Sequence, residues 1–140
     1  MKPYEIIDHT ADIGLRIRGR TLPELFTHAA LGLFDLMTDL DEIPLGEEEK
    51  IPLHLKAEDL GDLFLKWLRE LLFVFSVRRL VFKKFDFEIL TEKELKAVGL
   101  GKTFDPKRDE QKCEVKAVTY HQFKIEKQKD RWVAEVIFDI

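Results

Sequence analysis

The stretch Asp8-His9-Thr10-Ala11-Asp12 sets two carboxylates and an imidazole within five residues. Three chemistries suit those side chains: acid–base catalysis, oxygen ligation of a metal ion, or a polar turn whose Asp and Thr side chains bond the backbone. Asp12 is the less ordinary acid. It directly precedes the apolar run that starts at Ile13, and a carboxylate held beside a core needs a partner. The far end of the chain offers one. "RWVAEVIFDI" closes on Asp139 and Ile140, which brings a side-chain carboxylate next to the α-carboxylate. Were this segment to pair beside the one carrying Asp12, the three negative groups would converge and repel. A hard divalent cation relieves such repulsion, and all-oxygen ligands suit calcium, magnesium or manganese better than zinc. Spacing alone leaves open whether the groups meet.

Other residues are weighed in the same way. In "EVKAVTYHQFKIE", alternation assigns Val115, Ala117, Thr119, His121, Phe123 and Ile125 to one face. Glu114, Lys116, Val118, Tyr120 and Gln122 fall on the other. His121 is a ligand or acid–base candidate, against the plainer reading of a partly buried structural histidine. Lys116 either solvates a sheet face or presents charge to phosphate or acidic groups. "KWLRELLFVFSVRRLVFKK" interleaves aromatic and basic residues, a pattern seen in single-strand nucleic-acid binding. Leu63, Phe64, Trp67, Leu68, Leu71 and Leu72 nevertheless recur at helical spacing, so core packing is the better account. Cys113 has no His or Asp neighbour and reads as inert. No P-loop, dinucleotide fingerprint, zinc spacing or nucleophile elbow is present.

Positioning these residues requires regular elements. "PYEIID" and "IGLRIRG" read as strands joined through DHTAD. In "TLPELFTHAALGLFDLMTDL", Thr21 with Glu24 makes a capping box, Pro23 sits in the first turn, and Leu22, Leu25, Phe26, Ala29, Ala30, Leu33, Phe34 and Met37 give an apolar face. An acidic loop, "DLDEIPLGEEE", leads to a strand with Ile51, Leu53, Leu55 and Ala57 on one side. A second helix is predicted over "EDLGDLFLKWLRELLFVFSV", with acids near its positive N-terminal end. The remainder alternates as strands, with a hairpin turn at Lys129-Asp130. The expectation is an α+β fold: two main helices packed on antiparallel β-sheet in a single compact domain spanning 1–140.

The bulk composition agrees. The chain has 140 residues, 45% hydrophobic and 36% charged, enough for one core. A net charge of −4 gives no general attraction for DNA or RNA. One cysteine cannot form an internal disulfide, which points to a reducing compartment such as the cytoplasm. "MKPYEIIDHT" lacks the apolar core of a signal peptide, and Lys66, Arg69 and Glu70 interrupt the most apolar stretch, so no membrane span is expected.

Taken together, "IIDHTADIGL", "GKTFDP", "EVKAVTYH" and the closing "IFDI" resemble the archease family in content, order and separation, over essentially the whole chain. The resemblance implies an accessory protein of the RNA-splicing ligase RtcB, which joins tRNA exons. Its role there would be to promote guanylylation and multiple turnover of the ligase and to broaden its nucleotide use, with tRNA met only through the ligase. It also implies a divalent metal, commonly calcium, held by Asp12 and Asp139 with main-chain or terminal oxygens of Ile140, and a functional lysine at Lys116. Asp8 and His9 would support the turn. The likeness breaks before EVKA, where many members carry His followed by Gly-Thr. This chain has "FDPKRDEQKC", with Asp109, Lys112 and Cys113 there, and no loop histidine is carried over. Two other classes remain open: a stand-alone metal-dependent phosphoesterase or nuclease using the same acids, and a chaperone or scaffold whose acids are only structural.

Overall fold

A computed structural model describes residues 3–8, 12–43 and 48–140. The chain opens with strands β1 (Tyr4–Asp8) and β2 (Asp12–Gly19), followed by helix α1 (Leu22–Met37). Strand β3 (Glu49–Lys56) leads to helix α2 (Leu60–Arg78). Four strands complete it: β4 (Leu80–Leu90), β5 (Glu94–Thr103), β6 (Ala117–Gln128) and β7 (Arg131–Asp139). Neighbouring strands are antiparallel throughout, in two sheets of order β1-β2-β7-β6 and β3-β5-β4.

Two helices on antiparallel sheet were expected, and the structure divides the sheet in two with both helices between the halves. Helix α1 packs against β2 of the first sheet and β4 of the second; α2 touches β6 of the first and β3 and β4 of the second. The sequence requires this arrangement. Leu25, Phe26, Ala29, Ala30, Leu33, Phe34, Leu36 and Met37 are all buried on α1, and a helix apolar around most of its circumference must be covered on both sides. Trp67 fills the centre. Its ring lies 4.8 Å from Phe85, 5.7 Å from Phe87 and 5.9 Å from Phe26, and its indole N–H donates to the Phe26 carbonyl at 2.9 Å.

The helix ends follow their signals. The Thr21 hydroxyl accepts from the Glu24 N–H, while the Glu24 carboxylate accepts from the Arg20 N–H, one residue before the expected reach of a capping box. On α2, Asp59 caps the first turn through the Asp62 N–H at 2.8 Å. No helix among the described residues is long and apolar enough to cross a membrane.

Strand β6 departs from simple alternation. Thr119 lies opposite Ile137 and Lys124 opposite Glu135, so residues 120–123 stand against Val136 alone. Gln122 turns the backbone through φ 53° to accommodate the extra residues. In consequence Val118 and Ile125, which alternation assigns to opposite faces, both look inward, opposite Phe138 and Ala134. His121 rides on this bulge and is exposed, not the half-buried histidine expected. The strand also begins at Ala117, which leaves Glu114, Val115 and Lys116 in the segment before it.

A candidate acidic site where the first and last strands meet

Alternation along β2 and β7 decides which residues share the site. Leu15 lies opposite Val136 and Ile17 opposite Ala134, all four buried against the helices. The intervening residues therefore occupy the outer face of the sheet: Asp12, Gly14, Arg16 and Arg18 from β2, with Asp139, Ile137, Glu135 and Val133 from β7. At the end of this ladder Asp12 is the direct cross-strand partner of Asp139, and Ala117 of β6 flanks Asp139 on its other side. Directly opposed residues hold their Cβ atoms about 5 Å apart. The Lys116 N–H donates to the Asp139 carbonyl at 2.8 Å, which fixes that lysine at the same end.

Asp12 is half-buried and its Oδ1 is out of reach of solvent. Asp139, Lys116 and Ile140 are exposed. Two carboxylates facing each other across a ladder repel. The same face is organised differently four residues along. There Arg16 meets Glu135 at 2.7 Å and Glu5 at 3.2 Å, Arg18 meets Glu5 at 3.2 Å, and Lys124 meets Glu135 at 3.4 Å. Burial alone would raise the Glu135 carboxyl, but the Arg16 hydrogen bond and the nearby cations outweigh it and hold that group below the usual carboxylate range.

The donors at the acidic end are hard oxygens, which fits calcium, magnesium or manganese by type. They are few: calcium takes 6–8 oxygens, so two aspartates and the main-chain oxygens of Ile140 would leave positions for water or phosphate. Among the described residues, no group of three or more His, Cys, Asp or Glu side chains is arranged to hold a metal ion. His9 lies outside the described residues, and only the backbone of Asp8 is described, at the end of β1 opposite Ile13. Part of the acidic loop, residues 44–47, also lies outside them. His121 is held on the bulge by its own N–H, which donates to the Thr119 hydroxyl at 3.3 Å. Burial and the Glu114 charge push the Cys113 thiol up, which keeps it protonated.

A second surface escapes a reading by periodicity. Helix α2 and residues 111–115 bound a cleft of about 570 Å³, floored by Met37, Leu72, Phe75 and Val115. Beside it the Arg69 guanidinium lies 4.7 Å above the Tyr120 ring. The signal was present: Phe73 and Val77 drop out of the spacing that sends Leu68, Leu71 and Leu72 into the core.

Comparisons with known proteins agree along the full chain. Residues 4–140 match the Archease protein family (MTH1598/TM1083). A protein archease of Pyrococcus abyssi is 42% identical over 144 residues, covering 100% of both chains. One from Methanopyrus kandleri is 38% identical and covers 99% of each. The solution structure of Methanobacterium thermoautotrophicum protein 1598 superposes with a TM-score of 0.79 at 32% identity, covering 100% of both chains. A Thermotoga maritima crystal structure, described as an archease and possible chaperone, shares the fold with a TM-score of 0.67 at 24% identity. With a family match that runs from β1 to the last residue and relatives near 40% identity over their whole length, the chain belongs to the archease family.

Proposed function

We propose that this protein is an accessory activator of an RNA-splicing ligase of the RtcB type, acting through the acidic end of the β2–β7 ladder. The observation that carries this reading is the register: Asp12 stands directly across from Asp139, and the Lys116 N–H is tied to the Asp139 carbonyl. Asp12 and Asp139 would hold a divalent cation, calcium by preference, with oxygens of Ile140 completing the protein's share. When bound, that ion supplies positive charge for phosphate oxygens. Lys116, exposed at the same end, offers a second positive charge to the phosphates of a nucleotide seated in the ligase. The sheet does the positioning, since one ladder row fixes both aspartates before any partner arrives. The protein forms no covalent intermediate in this scheme; the guanylylated group belongs to the ligase.

The test is stimulation of ligase guanylylation, and of multiple-turnover joining of a cleaved tRNA, by folded Asp12→Ala, Asp139→Ala and Lys116→Ala proteins. Each aspartate variant is expected to lose at least about tenfold of the stimulation, the usual scale for removing a charged group that stabilises a transition state. Calcium binding, measured by calorimetry on the protein alone, should fall with it. Full stimulation by all three variants rejects the proposal. Phosphoester turnover by this protein without ligase would instead favour a stand-alone enzyme.

A further inference from the structure

Residues 104–116, between β5 and β6, form neither helix nor strand, yet they deliver Lys116 to the acidic end. The end of α1 holds them. The Thr38 hydroxyl donates to the Glu110 carbonyl at 2.7 Å, and an isolated antiparallel bridge pairs Thr38 with Gln111. One residue on, the Lys112 N–H donates to the Met37 carbonyl at 2.8 Å, and the Lys112 ammonium donates to Asp35 Oδ1 at 3.3 Å. Asp35 is itself fixed, because Tyr4 of β1 donates its hydroxyl to Oδ2 at 2.7 Å.

Thr38 is 1% exposed. A buried hydroxyl is commonly a satisfied polar group and nothing more. This one differs in what depends on it. The Thr38 N–H already closes α1 on the Phe34 carbonyl, which leaves the side chain to the neighbouring segment. Downstream, Val115 is buried beside Met37 and Phe75, and the Lys116 N–H donates to the Asp139 carbonyl at 2.8 Å. That bond lies at the very end of the β6–β7 ladder, where rungs fray with free energies near zero. With residues 110–112 clamped, only residues 113–115 lie between two fixed points, and so short a span leaves the Lys116 backbone little room. Released at Thr38, the free span would run back towards Asp109.

We propose that Thr38, supported by Asp35, is a positioning residue for Lys116: it clamps residues 110–112 to the end of α1 and so holds the backbone of that lysine against Asp139. The clamp also separates the tasks of two nearby lysines. Lys112 is turned to Asp35 on the helix, and Lys116 stays exposed at the acidic end. The importance of this placement for activation rests on the ligase reading; the clamp itself belongs to the protein alone.

Exchange of the Lys116 amide, followed by NMR without ligase, tests the clamp. Thr38→Val keeps the branched shape on an extended backbone and removes only the hydroxyl, and circular dichroism would verify folding. Its Lys116 amide should exchange about two- to tenfold faster, the factor for one net hydrogen bond, while Thr38→Ser should stay within about twofold of the parent. Asp35→Asn, which loosens the clamp from the helix surface, should shift exchange in the same direction. A hydroxyl that served global stability alone would leave this local opening unchanged. With the ligase, Thr38→Val should lose at least about threefold of the stimulation, because a group misplaced by about 1 Å is costly. It should add nothing to the loss caused by Lys116→Ala. Unchanged exchange in both Thr38→Val and Asp35→Asn overturns the proposal and leaves the ligase reading standing. So does full stimulation by Thr38→Val where Lys116→Ala loses it, or losses that multiply in the double variant. Full stimulation by Lys116→Ala, with faster exchange in Thr38→Val, would instead reject the ligase reading and keep the clamp.

Discussion

The Asp109 carboxylate accepts the Asp105 N–H at 2.8 Å, and Arg108 donates to it through Nε at 3.0 Å and Nη2 at 2.8 Å. Asp109 is nearly buried, so these partners shape the loop that leads from β5 towards the Lys116 segment. The Arg108 hydrogen bond, assisted by its charge and the backbone N–H of Asp105, holds the Asp109 carboxyl below the usual range. Folding therefore favours the ionised form. That contribution is complete above the ordinary carboxylate pKa of about 3.9 and fades as pH falls towards the lower folded value. Asp109→Asn, which turns one acceptor into a donor facing donors, should cost about 1–3 kcal/mol at neutral pH. In urea denaturation the gap between parent and variant should narrow below about pH 4. At this scale the sequence was uneven. Asp12 and Asp139 stood out because each adjoins an apolar strand, whereas Asp109 sits in "KRDEQK" and looks like any solvated acid. Its burial comes from how the loop folds back, which local composition does not encode.

Elements meet tightly where β2 hands over to α1. A Cβ added at Gly19 would stand 2.5 Å from the Leu25 nitrogen and 2.7 Å from its Cα, both backbone atoms that cannot swing aside. Gly19→Ala should therefore cost roughly 1–3 kcal/mol, read as a lower thermal midpoint, while the exposed neighbour Arg20→Ala should change little. The helices were legible because their apolar periods are clean: α1 and the core stripe of α2 follow the expected faces. Strand β6 was not, because the bulge at residues 120–123 resets the alternation midway. "TYHQF" offers no glycine or proline to mark the break, and only the demand that Val118 and Ile125 both reach the core reveals it. Misplacing Tyr120 concealed the surface it forms with Arg69.

For the molecule as a whole, Trp67 joins both sheets through one helix, touching Phe85 and Phe87 of the second sheet and Phe26 of α1, which packs on the first. Trp67→Ala should destabilise the protein by about 3–5 kcal/mol with a single cooperative urea transition. Two separate transitions would mean that the sheets unfold independently. The division into two sheets was beyond the sequence, since strand patterns report faces but not partners, and β7 joins β2 across almost the full chain. That placement of β7 also sets a timetable. Arg16 and its partner Glu135 are 119 residues apart. A ribosome adding about 5–20 residues per second needs on the order of ten seconds to supply the second after the first. Until then the β1–β2 hairpin is a nascent ribbon with one edge open to any passing strand. Strand β7, one of the two inner strands of that sheet, is the last of the four to be synthesised, and the Asp12–Asp139 pair cannot exist before it.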